Sequence, residues 1–287
     1  MSAPVRLLAV DIDGTLLDSS GKLPDGHRVA LAEATAAGIA VVLATGRALH
    51  FAKPVADAIG IRAAMIVNNG AVARDADGRT ALRQLLPRDV ARTILASTRA
   101  FEDSVAIVFD RQDERQIVFE RMDWSHPHRR GYYARNSAFI AEAPLDTALD
   151  DDPIQVMFNG SVAPMRALVA ALRAMPRADA FTVAITEYEA RDFALVDING
   201  PGCSKGSTLA RWAQLCGVSR EQVMAVGDNL NDLEMLEFAG RPVLMGNATD
   251  AMKARGFPTV PSHDEHGLAV AIRTYALATR RDAPPGS

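Results

Sequence analysis

Asp11 and Asp13 stand two residues apart at the end of a four-residue apolar run, Leu7 to Val10. An apolar run of that length predicts a buried parallel strand, and open α/β sheets place their chemistry at the C-terminal strand edge. Side chains alternate along a strand, so both carboxylates are expected on one face, with Ile12 turned back into the core. Two such carboxylates repel, and either a cation between them or a proton on one must compensate. Gly14 adds a backbone free to turn toward an anion, and Thr15 adds a hydroxyl. The stretch RLLAVDIDGTLLDSS, residues 6–20, reads as built to hold a metal and a phosphate side by side. For an isolated Asp-x-Asp, the ordinary alternative is a strand ending in a solvated turn.

Other strand and helix ends supply matching groups. Thr45-Gly46-Arg47 closes the apolar run Ile39 to Ala44, Asn68-Asn69-Gly70 closes Ala63 to Val67, and Asp228, Asn231 and Asp232 follow Val223 to Val226. Lys205 opens a helix, where a cation works against the helix dipole and so points to an anionic partner. Taken alone, Asp228 with Asn231 and Asp232 fits a helix N-cap as well as a metal site, and pairing with Asp11 favours the metal. Phosphoryl transfer needs an in-line nucleophile, cations on the equatorial oxygens and a proton for the leaving group. Asp11 suits the nucleophile, because a carboxylate can form an aspartyl-phosphate, and Asp13 suits the general acid/base. An all-oxygen set of Asp11, the Asp13 carbonyl and Asp228 favours Mg²⁺, with Asn231 and Asp232 as further candidates. Lys205, the Thr45 hydroxyl and the N–H groups around Gly14 suit phosphate binding.

These residues require elements to carry them. With 287 residues, 48% of them hydrophobic, the chain is long enough for two domains. Three strand–helix repeats, with helices at Asp25–Ala37 and Leu49–Ile59, predict a doubly wound parallel sheet. Pro54 is expected to kink or split the second helix. A hairpin around Asp77-Gly78 marks the exit from this first part. Residues 84–190 then read as an inserted α+β module with helices at Arg88–Phe101 and Pro164–Met175. Its strands are expected at Ser104–Phe109, Gln116–Glu120, Ile154–Phe158 and Phe181–Thr186, and Trp124 to Ser137 fits no element. The α/β pattern resumes over 191–280, and residues 281–287 read as a disordered tail. A net charge of −4 without an extended basic block argues against nucleic-acid or membrane-surface partners. The short apolar run near the N-terminus and the lack of a stretch near ~18 apolar residues predict a cytoplasmic protein. Cys203 and Cys216 read as free thiols.

Taken together, DxDGT at 11–15, TGR at 45–47, NNG at 68–70, SKG at 204–206, GDNLNDLEM at 227–235 and MGNA at 245–248 resemble the Cof-type branch of the haloacid dehalogenase superfamily of phosphatases. The resemblance runs from Leu8 to about Ile272. It implies a Rossmann-like core interrupted by a large α/β cap, and Mg²⁺-dependent hydrolysis of a small phosphorylated metabolite: a sugar phosphate, nucleotide or cofactor phosphate. The site it implies has Asp11 and Asp13 as catalytic carboxylates, with Gly14, Thr45, Gly46, Arg47, Asn69 and Lys205 around the phosphate. Its metal set is Asp11, Asp13, Asp228, Asn231 and Asp232. One departure is the segment His263-Asp264-Glu265-His266-Gly267, where the family often has Asn-x-x-Asp-Gly, and it reads as structural. A phosphomutase or phosphotransferase would use the same aspartyl-phosphate. A receiver-type signalling domain shares the acidic cluster and lysine, but has no use for a general acid/base beside the phosphate it must keep.

Overall fold

A computed structural model describes residues 3–111 and 115–278; the tail expected at 281–287 lies outside the described residues. The chain forms two units, Met1–Arg83 with Ser204–Ser287, and Gln84–Cys203. In the first unit, β1 (Leu7–Val10), β2 (Ala40–Ala44) and β3 (Ala63–Val67) are followed by the hairpin strands β4 (Val72–Arg74) and β5 (Thr80–Arg83). The second unit contributes β6 (Val105–Val108), β7 (Ile117–Phe119), β8 (Ile140–Glu142), β9 (Gln155–Gly160), β10 (Thr182–Tyr188) and β11 (Phe193–Asn199). β12 (Val223–Gly227) and β13 (Arg241–Leu244) then return to the first unit.

The first unit is an α/β layer built on a seven-stranded sheet of order β13-β12-β1-β2-β3-β4-β5. β13 through β3 are parallel, and the hairpin adds two antiparallel strands. β1 lies in the middle of the five parallel strands with all four residues buried, as a strand covered on both faces must be. Leu7 and Ala9 pack with Val42, Ala44, Ala64, Ile66, Val223 and Ala225. Burying Leu7 and Leu8 completely contributes about 1.5–3 kcal/mol each. The helix Leu49–Ile59 stays in one piece around Pro54 and ends on Gly60 in the left-handed conformation. The closing helix begins at Gly267, and its last part, Ile272–Leu277, is wound as a π-helix.

The second unit is a six-stranded sheet of order β10-β11-β9-β6-β7-β8, antiparallel except for the β7–β8 pair. The helices Arg88–Ser97 and Val162–Arg173 bury Val90, Ile94, Leu168 and Leu172 with Val156, Phe158, Val196 and Ile198. The stretch from Trp124 to Ser137 holds a helix, Pro127–Asn136. The return point at 191 needs correction. β11 pairs along its length with β9 and β10, so the inserted unit extends to Cys203. An apolar period announces a strand but not the sheet it will join.

Candidate active site

Asp11 follows β1 directly, and its N–H still donates to the Val226 carbonyl at 3.1 Å. Its carboxylate therefore springs from a fixed point at the ends of β1 and β12, and the residue is 4% exposed. The chain reverses at once, with the Leu16 N–H donating to the Asp11 and Ile12 carbonyls. Gly14 adopts φ 84°, and a Cβ there would collide with the Asp228 carboxylate. Only glycine permits that approach.

Lys205 occupies the first turn of the helix Lys205–Leu215, whose N-cap is Ser204. Its Nζ donates to Asp11 Oδ1 and to Asp232 Oδ1, each at 2.7 Å, with its side chain 0% exposed. The other oxygen of Asp232 accepts the N–H groups of Asp228 and Asn229, at 3.0 and 3.1 Å. Asp232 thus acts as the cap of the loop and as the second anchor of the lysine. Asp228 is held by the Thr15 hydroxyl, which donates to Oδ1 at 3.2 Å. Asp11, Asp228 and Asp232 present oxygens within 4.8 Å of one another.

Three buried carboxylates thus face one ammonium. Burial, then the charge of Asp232, pushes Asp11 upward against the pull of Lys205. Burial, then Asp11 and Asp232, pushes Asp228 well above the usual carboxylate range, and Lys205 and Thr15 only partly offset this. Burial alone would depress Lys205, yet Asp11 and Asp232 together outweigh it and raise the ammonium. One ammonium against three carboxylates leaves the cluster short of positive charge, and its carboxylate ligands are all oxygens, which fits a hard divalent cation such as Mg²⁺.

The remaining expected residues divide. The carboxylate of Asp13 lies outside the cluster of three and pairs with Arg47, whose Nε and Nη2 donate to Oδ2 and Oδ1 at 2.7 and 2.6 Å. Thr45 is buried, and its hydroxyl oxygen accepts the Arg47 N–H at 3.1 Å. Asn68 and Asn69 both adopt positive φ, 50° and 53°, a conformation asparagine tolerates better than most residues. That turn brings Asn69 Oδ1 within 3.0 Å of the Asn231 amide nitrogen, which donates to it. A Cβ on Gly46 would press on the Asn69 amide at 3.2 Å. Asn231 is therefore engaged with Asn69 through its nitrogen. Asn247, from the MGNA run, also reaches Gly14 and Asp228, a role that no spacing argument foresaw because it depends on how a distant loop returns.

The profile of the haloacid dehalogenase-like hydrolases matches residues 8–272. The chain is 27% identical over 276 residues to a 5-amino-6-(5-phospho-D-ribitylamino)uracil phosphatase of Bacillus subtilis, covering 95% of this chain and 96% of that one. It is 29% identical over 280 residues to a pyridoxal phosphate phosphatase of Escherichia coli, covering 95% and 99%. A haloacid dehalogenase-like hydrolase structure from Bacillus subtilis superposes with TM-score 0.79 at 25% identity, over 94% of this chain and 100% of that one. One from Bacteroides thetaiotaomicron gives TM-score 0.75 at 24% identity, covering 94% and 99%.

Proposed function

Since the chain belongs to the haloacid dehalogenase-like hydrolases and is a phosphatase of the Cof type, we propose that it hydrolyses small phosphorylated metabolites through a phosphoryl group carried transiently on Asp11. The observation that carries this reading is the buried cluster in which Lys205 joins Asp11 to Asp232 with Asp228 beside them. A carboxylate held in one rotation by an ammonium is a positioned nucleophile.

In the first step Asp11 attacks phosphorus, an acyl-phosphate bond forms, and the ester P–O bond breaks as Asp13 gives its proton to the leaving oxygen. In the second, Asp13 takes a proton from water, which attacks the phosphoryl group and releases inorganic phosphate with Asp11 restored. Arg47 grips both oxygens of Asp13 and holds it in place between turnovers, and this fork must open before Asp13 carries a proton to the leaving oxygen. Lys205 fixes Asp11 and adds positive charge where the phosphate charge develops, while Gly14, Thr45, Gly46 and Asn69 with Asn231 line the anion's place. Asp11, the Asp13 carbonyl and Asp228 would hold Mg²⁺. Asp232 serves through Lys205 and the Asp228 loop. Mg²⁺ would neutralise the phosphate oxygens and draw charge off the leaving group.

A phosphate-release screen of metal-free protein, with and without Mg²⁺, against a panel of phosphorylated metabolites tests this reading. The panel begins with pyridoxal phosphate and the ribitylamino-uracil phosphate, the substrates in the names of the two relatives. Free inorganic phosphate appearing only with Mg²⁺ is expected, and Ca²⁺, which is larger and accepts more ligands, should bind and inhibit. Full activity in excess chelator would refute the metal-dependent scheme. Transfer of the group to a second metabolite without free phosphate would reassign the protein as a phosphotransferase.

A further inference from the structure

Beyond the residues placed in that mechanism, we propose that Asn247 is a positioning residue for the cation site, holding Asp228 and the Gly14 turn together, and that the segment at 262–267 acts on the site by fixing its amide. This inference rests on the metal-dependent reading above. Asn247 lies just past β13, in a loop tied to the acidic strand end by the Met245 N–H, which donates to the Gly227 carbonyl at 3.0 Å. Its Nδ2 donates to the Gly14 carbonyl at 2.8 Å and faces Asp228 Oδ2 at 3.4 Å, long for a hydrogen bond. The Thr15 hydroxyl serves the other oxygen, Oδ1. The two oxygens of Asp228 are therefore oriented from two separate segments, and one of these segments, through the Gly14 carbonyl, also holds the turn that carries Asp13.

The amide has two ends, and only one suits this task. A flipped Asn247 would set its oxygen against both the Gly14 carbonyl and the Asp228 carboxylate, three acceptors without a proton among them. The His263 N–H prevents this by donating to Asn247 Oδ1 at 3.0 Å. That N–H is itself held in place. Ser262 and Glu265 cap one another through the Ser262 N–H and hydroxyl, at 3.1 and 2.7 Å, and Asp264 Oδ1 accepts the Ser19 N–H at 2.9 Å. The loop between packs closely on the chain before Ser262, where a Cβ on Gly246 would come within 2.8 Å of the Val260 carbonyl. The segment that departs from the familiar Asn-x-x-Asp-Gly thus reaches the acidic cluster through one backbone N–H. Groups that orient metal ligands in this way commonly change affinity by about 10–100-fold when lost.

The test is a calorimetric titration of Mg²⁺ into metal-free protein without substrate, on variants shown by circular dichroism to be folded. Asn247→Ala should weaken Mg²⁺ about tenfold. His263→Pro deletes the donor at a first-turn position, where proline has no helical hydrogen bond to lose, and should weaken Mg²⁺ in the same direction. His263→Ala removes the imidazole but keeps the N–H, and should bind within about twofold of the parent. An unchanged Asn247→Ala, or His263→Ala as impaired as His263→Pro, would overturn the proposal while leaving the metal-dependent reading intact. A parent protein that binds no Mg²⁺ would refute that reading, and the role of Asn247 with it.

Discussion

Arg47 grips Asp13 with two parallel hydrogen bonds, Nε to Oδ2 at 2.7 Å and Nη2 to Oδ1 at 2.6 Å. Contrary to the expectation from strand alternation, Asp13 does not join the cluster of Asp11, Asp228 and Asp232, because its side chain turns toward the guanidinium. A fork of this kind fixes direction as well as charge. Arg47→Ala should therefore lower kcat for alkyl phosphates by about tenfold to a hundredfold, and for an aryl phosphate much less, since a good leaving oxygen needs little proton donation. Steady-state phosphate release from one ester of each kind decides this. Equal losses would mean that the pair only braces the loop.

Asp228 and Asp232 should separate when stability is measured in excess chelator. Asp232 joins Lys205 and two backbone N–H groups, and Asp232→Ala would take one of two partners from the buried ammonium and strand both N–H donors, at a cost of about 3 kcal/mol or more. Asp228 is crowded by burial and by its carboxylate neighbours, so Asp228→Ala should leave denaturant stability unchanged or raise it, while abolishing the stabilisation that Mg²⁺ gives the parent. The opposite order would exchange the roles of the two residues.

The fold was legible where local pattern and final environment agree. Leu7 to Val10 and Ile39 to Ala44 are apolar because both faces of their strands are covered, and the motifs at their ends mark a sheet edge. What escaped was long-range. Nothing local to Phe193–Asn199 says that it pairs with β9 rather than returning to the first sheet. The bonds from Arg47 to Asp13, and from Asn247 to Gly14 and Asp228, join residues far apart in sequence. The Trp124–Ser137 stretch hid a helix because its glycine, aromatic residues and arginines follow no apolar period.

His27 predicts a pH dependence unrelated to catalysis. It is fully buried, its Nδ1 lies 2.8 Å from the Leu16 carbonyl, and Nε2 is buried without a hydrogen-bond partner among the described residues. Burial lowers its pKa, and the neighbouring His266 and His263 add to the effect against the Leu16 carbonyl. The unfolded chain therefore binds a proton that the native state refuses once pH falls below about 6.5. Stability from this residue is complete above that pH and is lost below it, by up to ~1.4 kcal/mol per pH unit until the folded-state pKa is reached. Urea unfolding of the parent and His27→Gln from pH 7.5 to 5.5 should give a shallower slope for the variant. Parallel slopes would remove His27 from the account.

The nucleophilic role of Asp11 is tested most directly by the initial rate of phosphate release from Asp11→Asn with saturating Mg²⁺, compared with the parent on the same substrate. An amide is no effective nucleophile toward phosphorus. Since Lys205 keeps its bond to Asp232, the variant should remain folded by circular dichroism and release no phosphate above a protein-free control. Turnover by the folded variant above that control would contradict phosphoryl transfer to Asp11.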